Sequence, residues 1–225
     1  MSQRLAGRRF LLTQAGDYMG PAIEALFLAE GASVVSDRSD LTRDGACEQV
    51  VADALPLDGL IINLACPPSP SPVAKIADRE WHALFESLVH PLMRLVRAAA
   101  PTLIAQRRGK IVAITSAAPL RGIANSAAYC AARGAQNAFV CAAGLELAAH
   151  HVQFNAVAQN YVRNESYFPG DLLNSERFQK HLARNVPLGR VAEGWESAEL
   201  ALFLASDKSD FMVGQVVPFA GGWAT

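Results

Sequence analysis

Apolar residues in this chain fall in short runs divided by segments with helical spacing. RFLLTQ, from Arg9, is a run of extended character that ends at a turn containing Gly16, and Pro21 to Glu30 then follows helical spacing with Pro in a first turn. The pattern recurs. SVV from Ser33, GLIINLA from Gly59 and KIVAITS from Lys110 read as further strands, each followed by a segment of helical character. Ser126 to about His150 is rich in Ala and free of Pro, which predicts a long helix. VQFNAVA from Val152 and GQVVPFAGG from Gly214 predict the last two strands. Runs that are apolar throughout imply strands covered on both faces. The expected fold is α/β: a single Rossmann-like domain over residues 1–225, with a doubly wound parallel sheet flanked by helices on both faces. Ligands of such sheets gather at the carboxyl ends of the strands, where Gly16, Ser116 and Gln159 fall.

Composition narrows the partners. A hydrophobic fraction of 51% in 225 residues is too apolar for disorder and suits one buried core. The net charge is −1 with Lys and Arg dispersed, so neither nucleic acid nor an anionic membrane is the expected partner; a small molecule is. No run approaches the ~20 apolar residues of a membrane span. The apolar run after Arg8 and Arg9 breaks into a turn rather than continuing as a signal-peptide core, so a cytoplasmic location is expected. Cys47, Cys66, Cys130 and Cys141 lack metal-ligand spacing and read as reduced thiols, with no metal site.

The candidate chemistry lies in TSAAPLRGIANSAAYCAARGA. Ser116 ends a predicted strand; Tyr129 and Arg133 lie four apart on the next helix and share a face. Taken singly, these are a strand-end hydroxyl, a core aromatic and a surface charge. Taken together, they resemble the active site of the short-chain dehydrogenase/reductase family, which has Lys in the place of Arg133. A free phenol titrates near pH ~10, so a phenolate base working near neutrality needs about 3–4 kcal/mol of stabilisation. A guanidinium ~5 Å away, at an effective dielectric of ~20, supplies about 3 kcal/mol. Arg cannot lose its own proton, so Arg133 can favour the anion but cannot relay protons as Lys can.

The cofactor-linked motifs of that family are altered. Where the family has TGxxxGxG, the chain reads TQAGDYMG from Thr13 to Gly20, with Gln14 and Tyr18 at two glycine positions. Where the family has NxVxPG, the chain reads NAVAQN, with Gln159 and Asn160 replacing Pro-Gly. His90 lies near the place of a helix Asn in the family's proton relay and reads as a solvated or capping residue. Asp37, after the second strand, could hold an adenosine ribose, but with the first turn altered it reads as a surface residue.

Thr13-x4-Tyr18-x-Gly20, joined to Ser116, Tyr129 and Arg133, is similar to the signature of the halohydrin dehalogenases. The resemblance extends to LGR near Gly189, FLASDKSDF near Phe203 and the terminal GGWAT, and is closest to the B-type enzymes. It implies a carbon–halide lyase with no cofactor. Tyr129 would deprotonate a vicinal haloalcohol, Arg133 would tune Tyr129, and Ser116 would bind the substrate oxygen. Halide would leave as an epoxide closes, and small anions would open epoxides in reverse. The implied halide site is Tyr18, Gln159, Asn160, Tyr161, Val162 and Phe168, in the space of the nicotinamide. The alternative reading of QNYVRNESYFPGD is a polar surface loop with Tyr167 and Phe168 packed on the core. Trp223 in GGWAT could cover a pocket of its own chain or of a neighbour. The resemblance further implies a homo-oligomer, with a tetramer favoured. The competing function is a divergent NAD(P)-dependent oxidoreductase that retains Ser116 and Tyr129.

Overall fold

The computed structural model describes residues 3–225. One six-stranded parallel sheet organises the chain: β1 (Arg9–Leu12), β2 (Ser33–Ser36), β3 (Gly59–Asn63), β4 (Gly109–Ser116), β5 (Val152–Gln159) and β6 (Val216–Phe219), in the spatial order β2-β1-β3-β4-β5-β6. Helices α1 (Gly20–Ala29) and α2 (Ala46–Ala54) follow β1 and β2. α3 (Asp78–Leu84) runs through a π-helical turn (Phe85–Val89) into α4 (His90–Gln106). α5 (Ala118–Arg121) and α6 (Ala127–Ala148) follow β4, α7 (Gly170–Leu173), α8 (Glu176–Asn185) and α9 (Gly194–Ala205) follow β5.

The apolar runs do what their continuity predicts. Every residue of β3 and β4 is buried, and successive side chains go to opposite faces. Leu11, Leu60, Ile62, Ile111 and Ala113 join the core formed with α2, α4 and α6. Phe10, Leu12, Ile61, Val112 and Ile114 join the core formed with α1 and α9. The edge strands β2 and β6 are only half-buried, since each has a neighbour on one side alone.

The chain leaves β1 toward β2 on one side and later places β3 on the other. That reversal opens a crevice beyond the carboxyl ends of β1 and β3. Thr13, Ser116 and Gln159 all reach this edge.

Candidate active site

Helix α6 presents a polar stripe to the sheet, with Tyr129, Arg133, Gln136 and Asn137 all buried. Arg133 is completely buried. Its Nε donates to the Tyr129 hydroxyl at 3.1 Å; Nη1 donates to Gln136 Oε1 at 2.9 Å and to the Ile114 carbonyl at 3.5 Å; Nη2 donates to the Leu64 carbonyl at 3.1 Å and to the Tyr167 hydroxyl at 2.9 Å. A guanidinium carries five N–H donors, and here each has an acceptor. All five acceptors are uncharged, so the positive charge is hydrogen-bonded but not neutralised. Such a charge strongly favours an anion beside it.

Two phenols therefore share one guanidinium. The Tyr167 oxygen also accepts from the Cys66 N–H at 2.9 Å, and the Tyr167 ring stands 5.1 Å from that of Tyr18. Burial holds the phenols of Tyr18 and Tyr167 well above the usual tyrosine range, against the pull of Arg133, so both are neutral near pH 7. Ser116 Oγ accepts from the Ala118 N–H at 3.0 Å, and Asn137 Nδ2 donates to the Ser116 carbonyl at 3.2 Å, which fixes the strand end.

A cavity of about 270 Å³ opens on this constellation, lined by Ser116, Tyr129, Tyr18, Gln159, Asn160, Val162, Tyr167 and Phe168 among others. Five of the six residues in the implied halide site thus meet at one cavity. Tyr161 does not reach it: its hydroxyl pairs with His181 Nε2 at 2.8 Å and its ring packs among Phe168, Phe178 and Trp223. The cause is local. Asn160 Oδ1 accepts from the Tyr161 N–H, and Tyr161 takes a left-handed φ of 55° that turns the side chain toward α8. Trp223 is buried in the same aromatic cluster of its own chain, with the Arg121 guanidinium 5.1 Å from its ring. His90 lies at the start of α4 and pairs with Glu86 at 3.1 Å, outside the Arg133 network.

The turn after β1 keeps the shape of a glycine-rich turn with other residues in it. Gln14 and Tyr18 have φ of 44° and 54°, the left-handed region that glycine enters most easily. At Gly20 no side chain fits, since a Cβ would lie 2.5 Å from the Ala15 carbonyl oxygen. Five backbone donors of the turn are committed: Ala15 N–H to Asp37 O, Asp17 N–H to Gln14 O, Tyr18 N–H to Asp17 Oδ1, Met19 N–H to Asn63 Oδ1 and Gly20 N–H to Asp17 O. Gln14 Oε1 accepts from the Ala65 N–H at 2.6 Å, and Ser166 docks the loop after β5 onto Asp17. A dinucleotide pyrophosphate needs open N–H donors and an uncharged approach. This turn offers committed donors, the Asp17 carboxylate and the Tyr18 ring, so its residues do not fit that group.

The chain is similar to known proteins along nearly its whole length. The family model described as enoyl-(acyl carrier protein) reductase matches residues 4–224. L-xylulose reductase of Bos taurus is 30% identical over 245 aligned positions, covering 99% of this chain and 99% of that protein. The chain belongs to the short-chain dehydrogenase/reductase family. Within that fold, a solved structure called "Dehalogenation enzyme" is 32% identical, with a TM-score of 0.92 over 98% of this chain and 100% of that one. A halohydrin dehalogenase bound to ethyl (2S)-oxiran-2-ylacetate has a TM-score of 0.87 at 24% identity, covering 96% of this chain and 97% of that one, and supports the fold. The expected sheet and the relation to the short-chain dehydrogenase/reductase family are thus borne out. Sequence reasoning missed Gln136 as a member of the site and saw Tyr167 only as packing. Gln136 had left a signal: it is a polar residue seven positions after Tyr129, on the face of α6 that the triad shares.

Proposed function

We propose that this protein converts vicinal haloalcohols to epoxides without a nucleotide cofactor. The observation that carries the reading is Arg133, a buried guanidinium with only neutral acceptors, holding the Tyr129 oxygen at 3.1 Å beside a cavity whose neighbouring turn is closed to a dinucleotide. In the reaction, Ser116 donates to the substrate hydroxyl oxygen while the Tyr129 phenolate takes its proton. The alkoxide oxygen forms a bond to the adjacent carbon, and the carbon–halogen bond breaks with its electron pair on the halide. Haloalcohol becomes epoxide, halide and one proton, which Tyr129 returns to solvent. No hydride moves.

The leaving halide is assigned to the part of the cavity edged by Tyr18, Gln159, Asn160, Val162 and Phe168. Aromatic edges and amide donors suit a large, weakly hydrated anion. Gln159 Oε1 is held by the Ser197 hydroxyl, which turns its amide N–H side toward the Tyr18 hydroxyl at the edge of the cavity. Likeness to the 32%-identical dehalogenation enzyme supports the proposed reaction. Assembly as a homo-oligomer belongs to the same proposal; Leu145, on the helix that carries Tyr129, is exposed.

NAD(P)-dependent reduction is the second reading, favoured by the likeness to L-xylulose reductase. One experiment separates the two. Incubation with a vicinal bromoalcohol and no nucleotide is expected to give epoxide, bromide and protons in equal amounts. No bromide, together with carbonyl reduction when NADPH is supplied, would establish the second.

A further inference from the structure

Placing Arg at a buried position where its family has Lys creates a problem of hydrogen bonding. An ammonium has three donors that rotate freely; a guanidinium has five in a rigid plane, so both its location and its rotation must be met by fixed acceptors. At Arg133 the Nη1 edge faces Gln136, one turn further along α6 and 1% exposed. The other end of that amide is equally committed: Gln136 Nε2 donates to the Leu88 carbonyl at 2.6 Å.

Leu88 lies in the π-helical turn Phe85–Val89, where one inserted residue interrupts the regular i→i+4 ladder. A carbonyl of one helix is thereby presented to a side chain of another. With both ends bonded, the Gln136 amide cannot turn without losing two buried hydrogen bonds.

We infer that Gln136, anchored on the π-helical turn, is a positioning residue that sets the rotation of the Arg133 guanidinium and leaves its charge undivided for Tyr129. The first half follows from geometry: with Nη1 held, Nε faces Tyr129 and Nη2 faces Leu64 and Tyr167. The second follows from the neutrality of the amide. A carboxylate in the same place would form an ion pair with Nη1 and draw the positive charge away from the phenol. The titratable groups that face the guanidinium are Tyr129 on α6, Tyr18 from the turn after β1 and Tyr167 from the loop after β5. The residue after β3, β4 and the π-helical turn bring only the carbonyls of Leu64, Ile114 and Leu88 to the network.

The inference deepens the proposed dehalogenation and rests on it for its kinetic readout. Two variants and two readouts test it. Gln136→Glu keeps the shape and adds a charge; the rising limb of halide release against pH is expected to move up by about one unit. Gln136→Met removes the acceptor; kcat is expected to fall about tenfold with KM held within about twofold. Ultraviolet difference titration of tyrosinate, wild type against Tyr129→Phe and repeated in each Gln136 variant, needs no substrate. It is expected to show the Tyr129 signal displaced to higher pH in both variants. A displaced signal supports the inference even if wild type releases no halide, a result that would sink the proposed reaction alone. If Gln136→Glu does not fold, Gln136→Met decides by the same titration. An unmoved tyrosinate signal, whatever happens to kcat, overturns the inference and leaves Gln136 a packing residue.

Discussion

The turns that follow β1 and β4 open on the same carboxyl edge of one sheet, yet they differ in what they leave available. After β4, Ser116 lines the cavity, and Tyr129 and Arg133 stand one helical turn apart with their donors and acceptors matched. After β1, five backbone donors are tied into the protein and the Tyr18 ring, 8% exposed, fills the approach. In the proposed reaction the turn after β4 holds the chemistry and the turn after β1 is a wall. The wall was built at a cost. Non-glycine residues in left-handed φ at Gln14 and Tyr18 cost about 1–2 kcal/mol each. Gln14 offsets this with its bond to the Ala65 N–H, and Tyr18 with the burial of an aromatic ring. On the proposed function, proton abstraction and dinucleotide binding are separable properties of this fold, located on different strands.

The contrast can be broken from either side. The largest effect is expected from Tyr129→Phe, which removes the base and leaves the ring: halide release should fall by about a thousandfold or more, while stability falls by about 1–3 kcal/mol because the buried Arg133 Nε–H loses its acceptor. A retained rate would remove Tyr129 from the reaction. Arg133→Lys restores the family residue but offers three donors to five acceptors. It should lower kcat about a hundredfold and stability by about 2 kcal/mol, read by steady-state kinetics and denaturant unfolding. It should not bring nucleotide binding back, because the β1 turn stays closed; nucleotide binding by this variant would show that Arg133 and not the turn is the barrier.

On the other side, Tyr18→Gly sets relief of strain against loss of a buried ring. Relief is worth about 1–2 kcal/mol, and an emptied aromatic site costs about 3–5 kcal/mol, so a net loss of about 2–3 kcal/mol is expected in chemical denaturation. A gain in stability would mean the ring packs poorly and is no wall. The smallest effect is expected from Ser166→Ala, which undocks the loop after β5 from Asp17. Stability should change by less than about 1 kcal/mol, with KM for halide or azide in the reverse reaction rising a few-fold. An unchanged KM would separate the anion site from the β1 turn.

The sheet was legible because buried parallel strands are written as continuous apolar runs, and six such runs became six strands with ends displaced by at most three residues. The triad was legible because it depends on helix spacing and a strand end, both local. Tyr161 was misplaced because its direction depends on one left-handed residue in a loop, which apolar pattern does not encode. Tyr167 and Gln136 were hidden for a different reason. Tyr167 meets Arg133 across 34 residues of sequence and Gln136 meets Leu88 across 48, contacts made by tertiary packing alone. The π-helical turn that receives Gln136 adds a single residue to a helix and barely disturbs its periodicity.

The central claim is that the turn after β4 works while the turn after β1 stays shut. It is tested most directly by measuring the initial rate of halide release from a vicinal bromoalcohol as NAD or NADP is titrated from zero to millimolar concentration. The account predicts full rate at zero nucleotide and a flat line thereafter. A rate that starts at zero and rises to saturation with nucleotide would contradict it.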